Sequence, residues 1–413
     1  MNRILASLLL TALTATAADW PQWRGPNRDG ISKETGLLKS WPEGGPKLAW
    51  KATGMGDAYT SPSVVGGQIF GMGLFDQDES VWALDTATGK LLWKTRIGDA
   101  ARVRQTQGGH GPRSTPTVAG TLLYVEGAGG TIACLEASNG KVVWTKSLVS
   151  DFGGAAPSWG FSESPLVDGE RVLVTPGGQG GAIVALNKKT GDTVWATKDF
   201  KDRAEYSCLV AAEIGGVKQY VQLTGQNVAG IAPDSGKVLW TAVRQGKTAT
   251  IPTPIVSGDL VYVTSGYGIG CNLFKVSKDS GGFKAEQVYA NTQMVNHHGG
   301  VIQIGGFVYG SSDVGKEKPF TCMDLKTGEV KWTEASVAKG SLTSVDGLLI
   351  HRAEGNRGTV TLFEPIPAGF KQHGRFDQPD RSGKPAWAHP VVANGKLYLR
   401  DMDVLLAYDV KAK

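Results

Sequence analysis

Residues 83–93 read ALDTATGKLLW, and this phrase decides the fold because it returns along the chain. It joins a small or apolar pair, an acid or amide, a short turn, Gly and, a few residues later, Trp. Further copies are 134–144 (CLEASNGKVVW), 185–195 (ALNKKTGDTVW), 231–240 (IAPDSGKVLW) and 322–332 (CMDLKTGEVKW). Their Trp residues lie 51, 51, 45 and 92 residues apart, so the last interval contains one degenerate copy. A repeat of this size made of short strands predicts a radial β array.

A second phrase opens each repeat well before the Trp. It is a short polar stretch, commonly Ser or Thr and then Pro, followed by an apolar strand, a turn and another strand. Clear copies lie at 60–62, 114–116, 163–165, 253–254 and 388–390, and weaker ones begin near 206–207, 298–300 and 341–343. Thr-Gly and Asn-Gly in the last turn of a unit are hairpin signals. Eight units of four strands predict an all-β, eight-bladed β-propeller.

The docking Trp and the two chain ends predict how the ring closes. A Trp at the start of each fourth strand is expected to lie flat on the neighbouring blade, so these residues are assigned to stacking rather than to a ligand. The last unit stops one strand short, while residues 46–51 (PKLAWK) look like an unattached fourth strand. That strand would complete the eighth blade and close the ring. In the degenerate fifth and seventh units, Tyr289 and Phe376 are expected to replace the Trp.

The N-terminus predicts export. Residues 1–18 combine a positive start, an apolar run at 4–13 and small residues before a cleavage point after Ala17 or Ala18, as in a secretory signal peptide. Residues 19–45 then form an N-terminal extension, and residues 46–413 a single propeller domain. No later run is long enough to span a bilayer. No Cys lies near the cleavage point, so a lipid anchor is not expected. The mature protein is therefore expected to be periplasmic or secreted, as a monomer.

Composition narrows the function. A formal charge of +5 over 413 residues is small, and it does not favour a nucleic-acid partner. Cys134 and Cys322 occupy equivalent positions of distant repeats and are expected to be small core residues. Cys208 and Cys271 lie in neighbouring repeats, and whether they pair stays open.

The repeated phrase and the opening DWPQWRGPNRDG at 19–30 resemble the quinoprotein-like family of propellers with PQQ-binding-like repeats, from about Lys47 to the end. The resemblance implies two classes of function. BamB-type propellers are non-enzymatic envelope proteins, and quinoprotein dehydrogenases use PQQ with calcium. The dehydrogenase pattern includes adjacent cysteines, which this sequence lacks. Because the fold carries both classes, it does not by itself decide the function.

Candidate site residues come from the segments that precede the inner strands, because these segments converge at one mouth of the channel. They are Arg113, Trp159, Glu163, Tyr206, Asn296, His297, His298, Trp387 and His389. Arg113 would pair with a carboxylate, Trp159 or Trp387 would stack, and the histidines would donate hydrogen bonds. The alternative is that these polar groups satisfy one another. The histidines could also bind a metal, but His297 and His298, adjacent on a strand, are expected to point to opposite sides. Only one of them could then join His389, so no metal site is assigned.

These features favour an exported, non-catalytic scaffold for binding or assembly in the cell envelope, with no certain cofactor. Its partner would be an envelope protein or an extracellular polymer. The alternative is a periplasmic PQQ-dependent oxidoreductase, similar to alcohol or sugar dehydrogenases, with its site at the channel mouth. Its cofactors would be PQQ and calcium.

Overall fold

A computed structural model describes residues 19–105, 107, 109, 111–355 and 357–412. The predicted signal peptide, residues 1–18, lies outside the described residues. The described chain forms 33 strands in eight sheets, and it contains no helix with the length and hydropathy to cross a membrane. The prediction of an all-β, eight-bladed propeller is confirmed.

Two short strands precede the first blade, β1 (Ile31–Ser32) and β2 (Lys47–Ala52). Blades 1 to 4 are antiparallel sheets whose strands follow one another outward from the channel. Blade 1 contains β3 (Ser63–Val65), β4 (Gln68–Phe75), β5 (Asp78–Asp85) and β6 (Leu91–Asp99). Blade 2 contains β7 (Thr117–Ala119), β8 (Leu122–Glu126), β9 (Thr131–Glu136) and β10 (Val142–Ser147). Blade 3 contains β11 (Leu166–Asp168), β12 (Arg171–Val174), β13 (Val184–Asn187) and β14 (Thr193–Ala196). Blade 4 contains β15 (Val210–Ile214), β16 (Val217–Leu223), β17 (Asn227–Ile231) and β18 (Val238–Val243).

Blades 5 to 8 complete the ring with the same strand order. Blade 5 contains β19 (Ile255–Ser257), β20 (Leu260–Ser265), β21 (Gly270–Asp279) and β22 (Gly282–Asn291). Blade 6 contains β23 (Val301–Ile304), β24 (Phe307–Ser311), β25 (Phe320–Asp324) and β26 (Val330–Glu334). Blade 7 contains β27 (Gly340–Val345), β28 (Leu348–Ala353), β29 (Val360–Phe363) and β30 (Gln372–Phe376). Blade 8 contains β31 (Val391–Ala393), β32 (Lys396–Asp401) and β33 (Val404–Asp409).

The N-terminal strands close the ring as the sequence predicts. Strand β2 pairs antiparallel with β33, with Lys47 opposite Asp409, and supplies the outer strand of blade 8. Strand β1 runs parallel to β27 on the channel side of blade 7. Blade 8 therefore combines β2, from the N-terminal part of the chain, with the last three strands.

Four of the docking Trp residues, at positions 50, 93, 144 and 195, lie against the turn Gly of the next blade. The Trp93 ring of blade 1 covers Gly140 of blade 2, where an added Cβ would lie 2.4 Å from a ring carbon. The Trp93 indole N–H also donates to the carbonyl oxygen of Ala137 at 3.0 Å. The same pairing joins Trp50 to Gly89, Trp144 to Gly191 and Trp195 to Gly236. At these four junctions the turn Gly and the Trp are therefore contact partners between successive blades.

The degenerate blades replace the indole as the sequence predicts. In blade 5 the Tyr289 hydroxyl donates to the carbonyl oxygen of Leu325 in blade 6 at 2.8 Å, and its ring lies on Gly328. In blade 7 the Phe376 ring lies against Gly45, just before β2. An aromatic ring of similar bulk therefore preserves the packing between blades.

Residues 20–34 of the extension run across the channel and bond to all eight blades. In blade order, the contacts are Trp20 with Val64, Pro21 with Val118, Arg28 with Ser164 and Leu209, Trp23 with Thr253, Arg24 with Val301, Gly30 with Ser344 and Ser32 with Val392. This segment, here called the channel brace, blocks the centre of the ring. The division at residue 46 between extension and propeller stays a prediction, although the brace is packed into the ring.

Two buried arginines anchor the channel brace. Arg28 is 3 % exposed and donates to the carbonyl oxygens of Leu209 at 2.9 Å and Ser164 at 3.0 Å. Arg24 is 5 % exposed and donates to the carbonyl oxygen of Val301 at 2.5 Å. Burial lowers the pKa of both guanidinium groups, that of Arg24 to about 10. Backbone carbonyls that open the inner strands therefore solvate these charges in place of water.

The four cysteines are free and buried. Cys134 and Cys322 lie in the blade cores, as expected. Cys208 and Cys271, whose pairing the sequence left open, do not form a disulfide in this structure.

A buried carboxyl group lies between blades 1 and 2. Glu79 is 2 % exposed and accepts a hydrogen bond from the Ala128 backbone N–H at 3.2 Å. Burial raises the pKa of the Glu79 carboxyl from 4.5 to about 7. Between these values the folded protein binds a proton that the unfolded chain releases, so this group lowers stability as pH rises.

The docking contact predicts that Gly140→Ala destabilises the ring more than an ordinary glycine turn would. Both Gly140 (φ +73°) and Gly120 (φ +64°) need a left-handed backbone, but no heavy atom lies within 4 Å of an added Cβ at Gly120. We expect Gly120→Ala to cost about 1 kcal/mol for its backbone alone, and Gly140→Ala to cost roughly 1–3 kcal/mol more through overpacking. Urea unfolding of the two variants measures the difference. Equal losses would show that the Trp93 contact has no energetic role.

The channel brace predicts that Arg28→Met is strongly destabilising. Methionine fills similar space but leaves the carbonyl oxygens of Ser164 and Leu209 without a donor, which should cost on the order of 3 kcal/mol. Thermal unfolding measures the loss, and the exposed Arg104→Met is the control. If both variants unfold at the temperature of the parent protein, the brace is not needed for stability.

The Glu79 carboxyl predicts a pH dependence of stability. Ionisation of Glu79 should lower the free energy of unfolding between pH 5 and pH 8, and Glu79→Gln should remove this contribution because the amide has no proton to lose. The change in stability from pH 5 to pH 8 should therefore be less unfavourable in Glu79→Gln than in the parent protein. Urea unfolding at both pH values tests this, with the exposed Glu43→Gln as control. An unchanged difference between the two pH values in Glu79→Gln would contradict the assignment.

Candidate functional site

A recess of about 220 Å³ lies at one mouth of the channel. Loops that lead into the inner strands form its walls, and Trp23 of the channel brace contributes from the centre. The aromatic and imidazole rings that line it are Trp23, Tyr59, Trp159, Tyr206, Tyr267, His297, His298, Trp387 and His389, and the remaining lining residues are Gln107, Arg113, Ser162, Cys208, Ala249 and Ile251. The recess is therefore mainly aromatic, with one guanidinium group.

The structure brings seven of the nine predicted site residues together around this recess. They are Arg113, Trp159, Tyr206, His297, His298, Trp387 and His389. The other two, Glu163 and Asn296, are buried and do not line it. Loops entering the inner strands thus converge as expected, although convergence alone does not identify a ligand.

Glu163 and Asn296 turn into the protein. The Glu163 carboxylate accepts from the Leu209 backbone N–H at 3.0 Å, and burial raises its pKa and that of the neighbouring Glu126 carboxyl. The Asn296 side-chain amide donates to the carbonyl oxygens of Gly300 and Ser311, each at 2.9 Å. Both side chains therefore hold the backbone at the base of the loops.

The prediction that His297 and His298 point to opposite sides of a strand is wrong. The two residues lie in a loop before β23, where side chains do not alternate as they do on a strand. Their ring centroids are 3.6 Å apart, and both rings line the recess. The His298 ring also stacks on Trp387 with centroids 4.0 Å apart, and His389 Nε2 donates to the His298 carbonyl oxygen at 2.9 Å.

Lys339 organises the histidine side of the recess. Its ammonium group donates to His297 Nδ1 at 2.8 Å and to Asp313 at 2.9 Å, and it lies 3.5 Å from Glu354. Because ammonium is only a donor, His297 must be neutral and must use Nε2–H toward the Tyr267 hydroxyl, 3.0 Å away.

Burial favours the neutral form of all three imidazoles in this wall. It lowers the pKa of His297 to about 2, that of His389 to about 3, and that of His298 in the same direction. These rings therefore act as neutral walls and not as cations or as a pH-sensitive acid at neutral pH. Among the described residues, no group of three or more His, Cys, Asp and Glu is placed to hold a metal ion.

The opposite wall carries the positive charge. Arg113 donates to the carbonyl oxygens of Gly109 and Gly111, each at 3.0 Å, and its guanidinium lies 5.8 Å from the centre of the Tyr59 ring. Tyr206 and Trp159 meet edge to face beside it, with centroids 6.1 Å apart. Burial lowers the pKa of Arg113, although a guanidinium remains charged at neutral pH.

Three aromatic residues of the recess, Trp23, Tyr59 and Tyr267, are not among the nine predicted site residues. Trp23 reaches it because the channel brace passes through the ring, and its indole N–H donates to Thr253 at 2.9 Å. Tyr267 lies in the turn between β20 and β21 with a positive φ of 58°. The opening phrase containing Trp23 was visible in the sequence, but nothing in it revealed the path of the extension.

The recess does not fit PQQ with calcium. Calcium needs several oxygen ligands, chiefly carboxylates, and no Asp or Glu is among the described residues that line the recess. The aromatic walls could stack on a planar ring, but one face of Trp387 is already covered by His298. No catalytic step through that cofactor is therefore derived for this chain.

Known proteins with related sequences are assembly factors. The chain is 24 % identical over 391 residues to outer membrane protein assembly factor BamB of Shewanella oneidensis. This alignment covers 88 % of each chain. It is 29 % identical over 288 residues to the BamB of Burkholderia pseudomallei, covering 65 % of this chain and 66 % of that one.

Solved structures from both functional classes share the fold of this chain. BamB from Moraxella catarrhalis matches with a TM-score of 0.60 and 15 % identity over 88 % of this chain and 99 % of its own. Quinohemoprotein alcohol dehydrogenase from Comamonas testosteroni matches with a TM-score of 0.62 and 13 % identity over 96 % of this chain and 81 % of its own. At these identities the likeness shows the propeller fold alone.

The family assignment comes from the sequence. The profile of the family described as outer membrane protein assembly factor BamB matches residues 77–334, from the first blade to the sixth. This span contains every complete copy of the repeated phrase from Ala83 to Trp332. The chain belongs to the family of outer membrane protein assembly factor BamB.

Proposed function

We propose that this chain is an exported, non-catalytic scaffold that holds other envelope proteins during assembly. The observation that carries the proposal is the relationship to the Shewanella oneidensis assembly factor, which extends over 88 % of both chains. In this proposal the segment 1–18 directs export, and the propeller works in the periplasm without a cofactor.

The outer strands of blades 1 to 3 are the surface that best suits a protein partner. They are the last strands of their sheets, so their outer edges have free backbone groups within the described structure. They also expose apolar side chains on consecutive blades: Leu91 (54 %), Leu92 (47 %), Val142 (37 %), Val143 (44 %) and Val194 (47 %). A free strand edge next to exposed apolar groups can accept a strand of a partner.

A PQQ-dependent oxidoreductase is the second candidate, and the aromatic recess is the observation in its favour. Indole and phenol rings could stack on a planar quinone. The missing carboxylate ligands for calcium argue against it, so the scaffold is preferred.

Photo-crosslinking in the source organism tests the scaffold. A photoreactive residue at Leu92 or Val143 should crosslink to a component of outer membrane protein assembly, identified by mass spectrometry. A photoreactive residue at the exposed Glu329 of blade 6 is the control and should not give this product. Crosslinks that are the same at all three positions, or absent from both outer strands, would contradict the proposed surface.

A titration decides between scaffold and enzyme. The purified mature protein is titrated with PQQ and calcium while dye-linked oxidation of alcohols and sugars is followed. The scaffold predicts no turnover, and saturable binding with turnover would overturn it in favour of the oxidoreductase.

A further inference from the structure

The recess contains a half-buried cation, Arg113, without a carboxylate partner among the described residues. Among the described residues, no Asp or Glu oxygen lies within 4 Å of the Arg113 guanidinium, and its hydrogen bonds are those to the carbonyls of Gly109 and Gly111. A guanidinium has five N–H donors, so three of them are left. A charge in this position attracts an anion, since the protein supplies no counter-charge in direct contact.

The groups around Arg113 indicate what the uncharged part of such an anion would be. Tyr59 lies beneath the guanidinium and packs on Trp387 with centroids 4.6 Å apart, while Trp159 and Tyr206 form the next part of the wall. These rings offer flat, weakly polar faces, which suit an aromatic ring in offset or edge-to-face contact. Together with the guanidinium, these rings suit a ligand that joins a planar apolar ring to a negative group.

The histidine wall does not add positive charge. His297 is held by Lys339 and Tyr267, and the ammonium of Lys339 is balanced by Asp313 and Glu354. Arg113 is thus the one cation among the described lining residues, which suits a single negative group.

We propose that the recess binds a small aromatic monocarboxylate, with Arg113 receiving the carboxylate and the surrounding aromatic rings receiving the ring. This binding site goes beyond the scaffold function and does not depend on it. The Arg113 guanidinium would form charge-assisted hydrogen bonds to the carboxylate, and burial of the aromatic ring would add affinity.

Two other ligand classes fit less well. A free sugar needs many planar polar side chains to satisfy its hydroxyl groups, and the described lining offers Gln107, Ser162 and Arg113 beside its aromatic and imidazole groups. A quaternary ammonium ion suits an aromatic cage, but the charge of Arg113 would repel it.

Calorimetric titration of the purified mature protein tests the proposal. The probes are indole-3-acetate, its neutral amide indole-3-acetamide, benzoate and glucuronate. We expect indole-3-acetate to bind about tenfold more tightly than the amide, because only the acid gains the charged contact. In Arg113→Met this preference should disappear, while the exposed Arg102→Met should keep it.

Further variants separate binding from folding. Circular dichroism and thermal unfolding establish whether Arg113→Met is folded, and Arg113→Lys gives a second, charge-retaining variant that should keep part of the preference. Trp159→Ala should weaken acid and amide to a similar extent, because it removes a ring contact and not the charge.

Three results would overturn the proposal. They are equal affinity for acid and amide, no saturable binding of either aromatic acid up to about 1 mM, and tighter binding of glucuronate than of indole-3-acetate. Because the titration uses the protein alone, its failure leaves the crosslinking result unaffected. Conversely, loss of crosslinking at Leu92 and Val143 would leave the titration standing.

Discussion

The contact between a Trp of one blade and the turn Gly of the next is the constraint on which the ring depends. An indole ring occupies the space beside Gly140 that any Cβ would fill, and the same geometry recurs at Gly89, Gly191 and Gly236. The contact combines large apolar burial with a hydrogen bond to a backbone carbonyl, so it fixes both distance and angle between blades. Four such contacts, with a Tyr and a Phe in place of the Trp in blades 5 and 7, help to close the ring and bring the loops of the channel mouth together.

Much of the fold could be predicted because the residues that form this contact recur in the sequence. The Gly and the Trp identify the repeat, and the isolated strand around Trp50 identifies the closure, since β2 pairs with β33. The site was only partly predictable. The loops converge as expected, but His297 and His298 share the recess because their segment is not a strand. The path of the extension has no periodic signal, so the place of Trp23 could only come from the structure.

Electrostatics divides the recess into two unlike walls. On one side Lys339 meets Asp313, Glu354 and His297, so its charge is used within the protein. On the other side Arg113 is bonded to carbonyl dipoles, which solvate the charge without neutralising it. Glu163, one of the predicted site residues, accepts a hydrogen bond from the backbone of Leu209 and does not line the recess. One charge beside the recess is therefore neutralised within the protein, and the other is not.

The channel brace also determines when the protein can finish folding. Ser32 bonds to Val392, 360 residues away, and Arg28 bonds to Leu209, 181 residues away. Contacts so distant in sequence form late, because closing long loops has a large entropic cost. Early blades can assemble locally, but the brace cannot form all its hydrogen bonds until the eighth blade has formed. The full set of brace contacts therefore exists only in a ring that includes all eight blades.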